Sequence, residues 1–235
     1  MHCLQQGVWR NWGVSESDGS AVDKERQSIV MEHFKTKIIE FFGLPKTGKT
    51  TTVDALVKSL NKDGFNVSKV HERASVCPIK DKLHPSFNYW TTVSFMKEYL
   101  EANEKGYDYL IADRGILDAY IWVYLLSKKI QNTNFITRFE NLINQSFVLE
   151  KYLLAFSYKA KYNVIMSREK ERTMKKFRNG RIMNEEILDL YNSTYEEINP
   201  KLKIISNIVE LDTTNKDIPQ MLFAVSEYID NLMLK

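Results

Sequence analysis

Residues 43–50 read Gly43-Leu44-Pro45-Lys46-Thr47-Gly48-Lys49-Thr50, a complete G-x-x-x-x-G-K-[ST] pattern, and the apolar run Ile38-Ile39-Glu40-Phe41-Phe42 leads directly into it. After it, Val53, Leu56, Val57 and Leu60 recur at helical spacing. A strand, a glycine-containing turn and a helix in that order are the context in which this pattern forms a phosphate-binding loop. The glycines let backbone N–H groups turn inward around a phosphate chain, and the following helix aims its positive end at the same anions. The pattern therefore makes Gly43, Thr47, Gly48, Lys49, Thr50 and Thr51 the candidate triphosphate-binding residues. Lys49 is expected to neutralise the outer phosphates and Thr50 to hold Mg²⁺.

Working outward, the composition bounds the class. A chain of 235 residues, 43% hydrophobic and 27% charged, can bury one sizeable core, which predicts one α/β domain. No apolar run approaches the roughly 18 residues of a membrane span, so no membrane partner is expected. Cys3 and Cys77 give neither metal-ligand spacing nor a disulfide framework, which fits a reducing, cytoplasmic setting. A net charge of +3 does not argue for nucleic acid.

The first 30 residues differ from the rest, with Gly, Ser, Trp9, Trp12 and mixed charge but no apolar core for a signal peptide. Glu16, Asp18, Asp23 and Glu25 argue against a transit peptide. Residues 1–35 are read as a flexible tail and 36–235 as the domain; Met31 lies just before the first strand, and a docking segment around the tryptophans is the rival reading.

Beyond the loop the chain alternates. Short apolar runs at 37–42, 65–70, 107–112, 161–166 and 207–212, each followed by a helical or loop-plus-helical stretch, predict a five-stranded parallel sheet. Gly64 and Gly106 follow amphipathic stretches and read as helix caps. Residues 116–157 predict two helices, the first of them apolar throughout Ile121-Trp122-Val123-Tyr124-Leu125-Leu126 and so expected in the core.

Open parallel sheets bind ligands at the carboxyl ends of their strands. There the second run ends in His71-Glu72-Arg73 and the third in Asp113-Arg114-Gly115. Asp113 is expected to act through Mg²⁺ or its waters, and Arg114 and Arg73 to hold phosphate oxygens in forked bonds. His71 is read as structural. After Tyr162-Asn163-Val164-Ile165-Met166, taken as the fourth strand, residues 168–181 carry seven basic side chains against Glu169 and Glu171, a charge of +5 that exceeds that of the whole chain. A basic segment in that place suits a lid that closes over a triphosphate and excludes water.

These residues resemble the thymidylate kinases and the related deoxynucleoside kinases. The resemblance covers about 36–235: the loop Gly43 to Thr50, then Glu72-Arg73-Ala74, Asp113-Arg114-Gly115, and Phe177-Arg178-Asn179-Gly180 followed by Glu185, Leu188 and Tyr191. Val209-Glu210-Leu211-Asp212 resembles the last strand, whose following loop borders adenine in such kinases. What the resemblance implies is an α/β, three-layer phosphate-loop kinase fold with helices on both faces of the sheet and a basic lid. It implies transfer of the γ-phosphoryl group of ATP, with Mg²⁺ at Thr50 and Asp113, to a small nucleotide or nucleoside acceptor. Lys49, Lys46, Arg114, Asp113 and Glu72 take catalytic positions; Arg172 and Arg178 reach the nucleotide from the lid; Glu72, Arg73, Tyr89, Trp90 and Arg114 line the acceptor site. A homodimer is common among such kinases, and the apolar helix after Asp113 suits either an interface or a core.

Two residues depart from the thymidylate pattern: Pro45 stands where an aspartate contacts the acceptor sugar, and the base-reading arginine falls at Tyr89 or its neighbours Asn88 and Trp90. Glu72 would serve as general base for a nucleoside hydroxyl, whereas Arg73 would serve an already ionised monophosphate. Glu72-Arg73-Ala74 lies closer to the monophosphate pattern, which is the reading preferred here. The alternative of a different class is a phosphate-loop NTPase switch or regulatory binder. A GTPase is disfavoured, because Asn215-Lys216-Asp217-Ile218 has isoleucine where the Asn-Lys-x-Asp guanine reader has its aspartate, at the fourth position.

Overall fold

The strand that enters the loop is β1 (Lys37–Gly43), buried at every position but its first. It continues through the loop into α1 (Lys49–Lys62), whose Val53, Leu56 and Leu60 form the buried stripe that the spacing predicts. The structure is a computed structural model that describes residues 34–173 and 185–233. Lys35 onward is one compact unit. The proposed tail with Trp9, Trp12 and Met31, and the lid residues Phe177 to Gly180 with Arg178, lie outside the described residues.

Four further strands, β2 (Val67–Val70), β3 (Tyr109–Asp113), β4 (Tyr152–Lys159) and β5 (Ile208–Asp212), join β1 in one sheet of order β2-β3-β1-β4-β5. Every neighbouring pair is parallel. β1 is thus the central strand, and the loop opens where the chain's order reverses, the place at which such sheets bind ligands. The connections carry α2 (Ser86–Glu104), α3 (Ile116–Lys129), α4 (Asn134–Asn144), α5 (Tyr162–Thr173), α6 (Glu185–Ile205) and α7 (Ile218–Met233). Gly64 and Gly106 follow the ends of α1 and α2 with positive φ, as the cap reading expects.

Alternation along β1 separates two cores. Ile39 and Phe41 face α1 and α7, where Val53, Leu56, Met221, Val225 and Ile229 close over them and over Phe156 and Tyr158. The other side takes Ile38, Glu40 and Phe42, and Phe42 meets Tyr195 of α6. Helix α3 packs with α2, α4 and α6. It is buried along nearly its whole length, which resolves its apolar run as core within the chain. Burying each large apolar side chain contributes about 1.5–3 kcal/mol before entropy is counted. Among the described residues no helix is long and apolar enough to cross a membrane.

The fourth strand corrects the sequence reading. Tyr162–Met166 is not a strand but the start of α5; Ile165 and Glu169, four apart, are its buried positions over residues 162–170, a helical period. The true strand is Tyr152–Lys159, whose first six residues fall inside the stretch 116–157 read as helical. Leu153, Leu154 and Ala155 are good helix formers, and a strand buried on both faces shows no alternation, so periodicity could not separate the two. Only the neighbour decides: Ala155 and Phe156 pair in register with Glu40 and Phe41.

Candidate active site

Three backbone positions give the loop its shape. Gly43, Lys46 and Gly48 all have positive φ, at 118°, 59° and 99°. At Gly43 a Cβ would stand 2.2 Å from the carbonyl oxygen of Tyr158, so both conformation and space require glycine. Lys46 tolerates the left-handed region as a non-glycine residue, at a cost of roughly 1–2 kcal/mol.

Lys49 is buried at the start of α1 and folds back onto the loop, donating to the carbonyls of Leu44 (2.6 Å) and Gly43 (3.1 Å). Burial pushes its ammonium down to about 7, with Arg114 adding to the shift and Asp113, Asp118 and Glu72 opposing it. Phosphate oxygens beside such a lysine would restore the favourable partner that burial removed. Thr50 and Thr51 are exposed in the first turn of α1. The Thr50 hydroxyl donates to Asp113 Oδ2 at 2.5 Å, bringing together the two expected Mg²⁺ ligands. One hydroxyl and one carboxylate make a hard oxygen set that suits Mg²⁺ shared with phosphates rather than an all-protein cage. Among the described residues no group of three or more His, Cys, Asp or Glu side chains could hold a metal ion.

Arg114 follows Asp113 in the turn before α3, at a left-handed φ of 70°. Its N–H donates to Phe41 O at 2.9 Å, its Nη1 to Asp118 Oδ2 at 2.7 Å, and its Nε lies 3.2 Å from Glu72 Oε1. Burial alone would lower its pKa, but Asp118 and Glu72 reverse this and hold the guanidinium above its ordinary range. Glu72 is half-exposed, so its carboxylate is open to solvent while anchored to Arg114.

Other expected residues take different partners. Arg73, one residue on, is ion-paired with Glu98 of α2. Lys46 is paired with Glu169 of α5 at 2.6 Å, and Arg168 donates to Lys46 O at 3.3 Å and to Thr213 O at 2.8 Å. Thr213, after β5, donates in turn to Thr47 O at 2.9 Å. The basic helix α5 and the loop beyond the last strand are thereby fastened to the phosphate loop. Tyr89 gives its hydroxyl to Phe135 O and its ring to Phe135 and Phe139, so it joins α2 to α4. Trp90 is half-buried beside it in sequence, and His71, read as structural, is exposed. Arg172 lies in the last turn of α5.

Sequence reasoning missed two buried carboxylates. Asp118, 4% exposed, accepts from Gly43 N–H (3.3 Å), Arg114 (2.7 Å) and the Tyr191 hydroxyl (2.9 Å), so one side chain ties loop, arginine and α6 together. Glu40 is fully buried in β1, where burial pushes its carboxyl up to about 7 against the hydrogen bonds of Tyr152 and of the Asp118 and Leu117 amides. Each is a lone acid in an apolar run, and an acid there is rarely tolerated without partners.

No family model matches the sequence, and no curated protein matches it. Solved structures do match the fold. A deoxyadenosine kinase from M. mycoides with bound dCTP superposes with a TM-score of 0.62 at 16% identity, covering 83% of this chain and 99% of that one. Its fold is shared with this chain. The same kinase with the products dCMP and a flexible dCDP gives 0.59 at 17% identity over 83% and 99%, and with dATP 0.55 at 15% over 82% and 99%. The expected α/β phosphate-loop kinase fold, with a five-stranded parallel sheet and helices on both faces, is therefore observed.

Proposed function

We propose that residues 36–235 form a nucleoside kinase that transfers the γ-phosphoryl group of ATP to the 5′-hydroxyl of a deoxynucleoside. The observation that carries this reading is the pair of Glu72 and Arg114, 3.2 Å apart at the ligand-facing end of the sheet, beside the Thr50–Asp113 contact. The likeness in fold to a deoxyadenosine kinase supports it.

In this reading the loop amides and Lys49 hold the triphosphate. Lys49 exchanges the carbonyls of Gly43 and Leu44 for phosphate oxygens. Thr50 and Asp113 would hold Mg²⁺, which would supply positive charge beside the phosphates. Glu72 accepts the proton of the acceptor hydroxyl as its oxygen bonds to the γ-phosphorus and the bridging oxygen leaves with ADP. Arg114 stands beside that exchange as a fixed cation, already charged and already desolvated.

A monophosphate acceptor, favoured by the sequence Glu72-Arg73-Ala74, needs a free cation near its phosphate. Arg73 is engaged by Glu98, which favours the hydroxyl acceptor. Residues 1–35 have no part in the reaction in this account, and a chain starting at Met31 should keep its turnover. The test is ADP release from Mg²⁺-ATP with each deoxynucleoside and each monophosphate in turn. Turnover that requires a deoxynucleoside supports the proposal, and slow hydrolysis indifferent to every acceptor would replace it with an NTPase.

A further inference from the structure

Glu40 is the one charged residue in Ile38–Phe42 and has no solvent exposure. An unpaired buried carboxylate costs many kcal/mol, so its partners must explain its presence. All of them belong to one turn and one tyrosine. Oε1 accepts from Gly115 N–H and Asp118 N–H, each at 2.9 Å; Oε2 accepts from Leu117 N–H at 3.1 Å and from the Tyr152 hydroxyl at 2.6 Å. The Tyr152 oxygen accepts in turn from Ile116 N–H at 3.2 Å. The four consecutive N–H groups of residues 115–118, the orphan donors at the start of α3, thus end on Glu40 or on the tyrosine it holds.

This is a helix cap supplied from a strand. Gly115, in the N-cap position, has no side chain to serve. It also has no room for one, since a Cβ there would lie 2.6 Å from Glu40 Oε2. Directly before the capped turn stands Arg114, at a φ of 70° and with its own N–H on Phe41 O of the same strand. Directly inside it stands Asp118, the carboxylate that receives the Arg114 side chain.

We propose that Glu40 is a positioning residue for phosphoryl transfer, fixing the turn between β3 and α3 so that Arg114 keeps its left-handed backbone and its place between Glu72 and Asp118. The proposal rests on the role given to Arg114 above. Glu40 touches no substrate; it acts through the amides of residues 115, 117 and 118.

Glu40→Gln keeps the shape but turns an N–H₂ group toward N–H donors. In steady-state kinetics with Mg²⁺-ATP and the accepted deoxynucleoside, kcat should fall about 10- to 100-fold while the KM for ATP stays within about twofold. A role in stability alone would lower the melting temperature and leave the kcat of the folded protein unchanged. Because Glu40→Gln could fail to fold, Tyr152→Phe is the second variant. It removes one donor, and it should lower kcat about 3- to 10-fold with the same unchanged KM. Wild-type kcat in the folded variants, or a parallel change in KM, overturns the proposal. Hydrogen exchange at the amides of residues 115, 117 and 118 is read in the same proteins and should quicken relative to the rest of α3. If the wild type transfers phosphate to no acceptor, the kinase reading fails, and unchanged exchange at those amides overturns the positioning claim separately.

Discussion

Replacing Glu72 by glutamine should remove most of the turnover and almost none of the stability. The carboxylate is half-exposed and is ion-paired with Arg114 Nε at 3.2 Å. An ion pair so placed contributes about 0–1 kcal/mol to folding, and Arg114 keeps Asp118 when it is lost. Chemistry is another matter: a positioned general base is worth about 10²–10⁴ in rate, or roughly 3–5 kcal/mol of barrier. Glutamine preserves the volume and the contact with Arg114 through its carbonyl oxygen but cannot accept the acceptor's proton. The assay is steady-state ADP release at saturating Mg²⁺-ATP and deoxynucleoside, with urea unfolding of the same samples. The expected result is a kcat lowered by two to four orders of magnitude, a KM for ATP near the wild type and an unfolding free energy within about 1 kcal/mol. A kcat within threefold of the wild type would refute the assignment of Glu72 as base.

Arg73→Ala should leave the acceptor KM unchanged, because the Arg73 guanidinium is ion-paired with Glu98; a KM raised tenfold would return the acceptor phosphate to consideration. Gly115→Ala should cost about 1–3 kcal/mol in urea unfolding at an unchanged slope, since the new methyl would press on Glu40 Oε2; a neutral result would contradict the packing of that turn. The pH dependence of stability carries a sign that can be checked. Glu40 rises from 4.5 to about 7 on folding, so its contribution is complete below 4.5 and is lost as pH rises toward 7, at most about 3 kcal/mol. Lys49 falls from 10.5 to about 7, so its contribution is lost as pH falls through 7 and complete above 10.5. Unfolding at a series of pH values should show Glu40→Gln flattening the lower window and Lys49→Met the upper one, and variant curves parallel to the wild type would refute both.

Much of this molecule could be read from its letters because local rules agreed with the global fold. The loop, β1, β3 and the helix after the loop each have a glycine, an apolar run or a period of their own, and Thr50 and Asp113 were brought together by the rule that parallel strands end at the ligand. What escaped was set by neighbours rather than by local pattern. Strand β4 looks helical until β1 lies beside it, and Tyr162–Met166 looks like a strand until Ile165 and Glu169 are seen on one face. Arg73 meets Glu98 across 25 positions of chain, a pairing no spacing announces. Glu40 and Asp118 did leave a signal, a lone acid within an apolar run. An acid in such a run has to find donors, and here those donors belong to the turn that carries Arg114.

The acceptor tests the account most directly. The measurement is transfer of label from γ-labelled ATP in an equimolar mixture of deoxynucleosides and their monophosphates, with the labelled product identified by chromatography. Label is expected in a deoxynucleoside monophosphate, the product of attack by a 5′-hydroxyl whose proton goes to Glu72. Label in a diphosphate, or in inorganic phosphate alone, would contradict it.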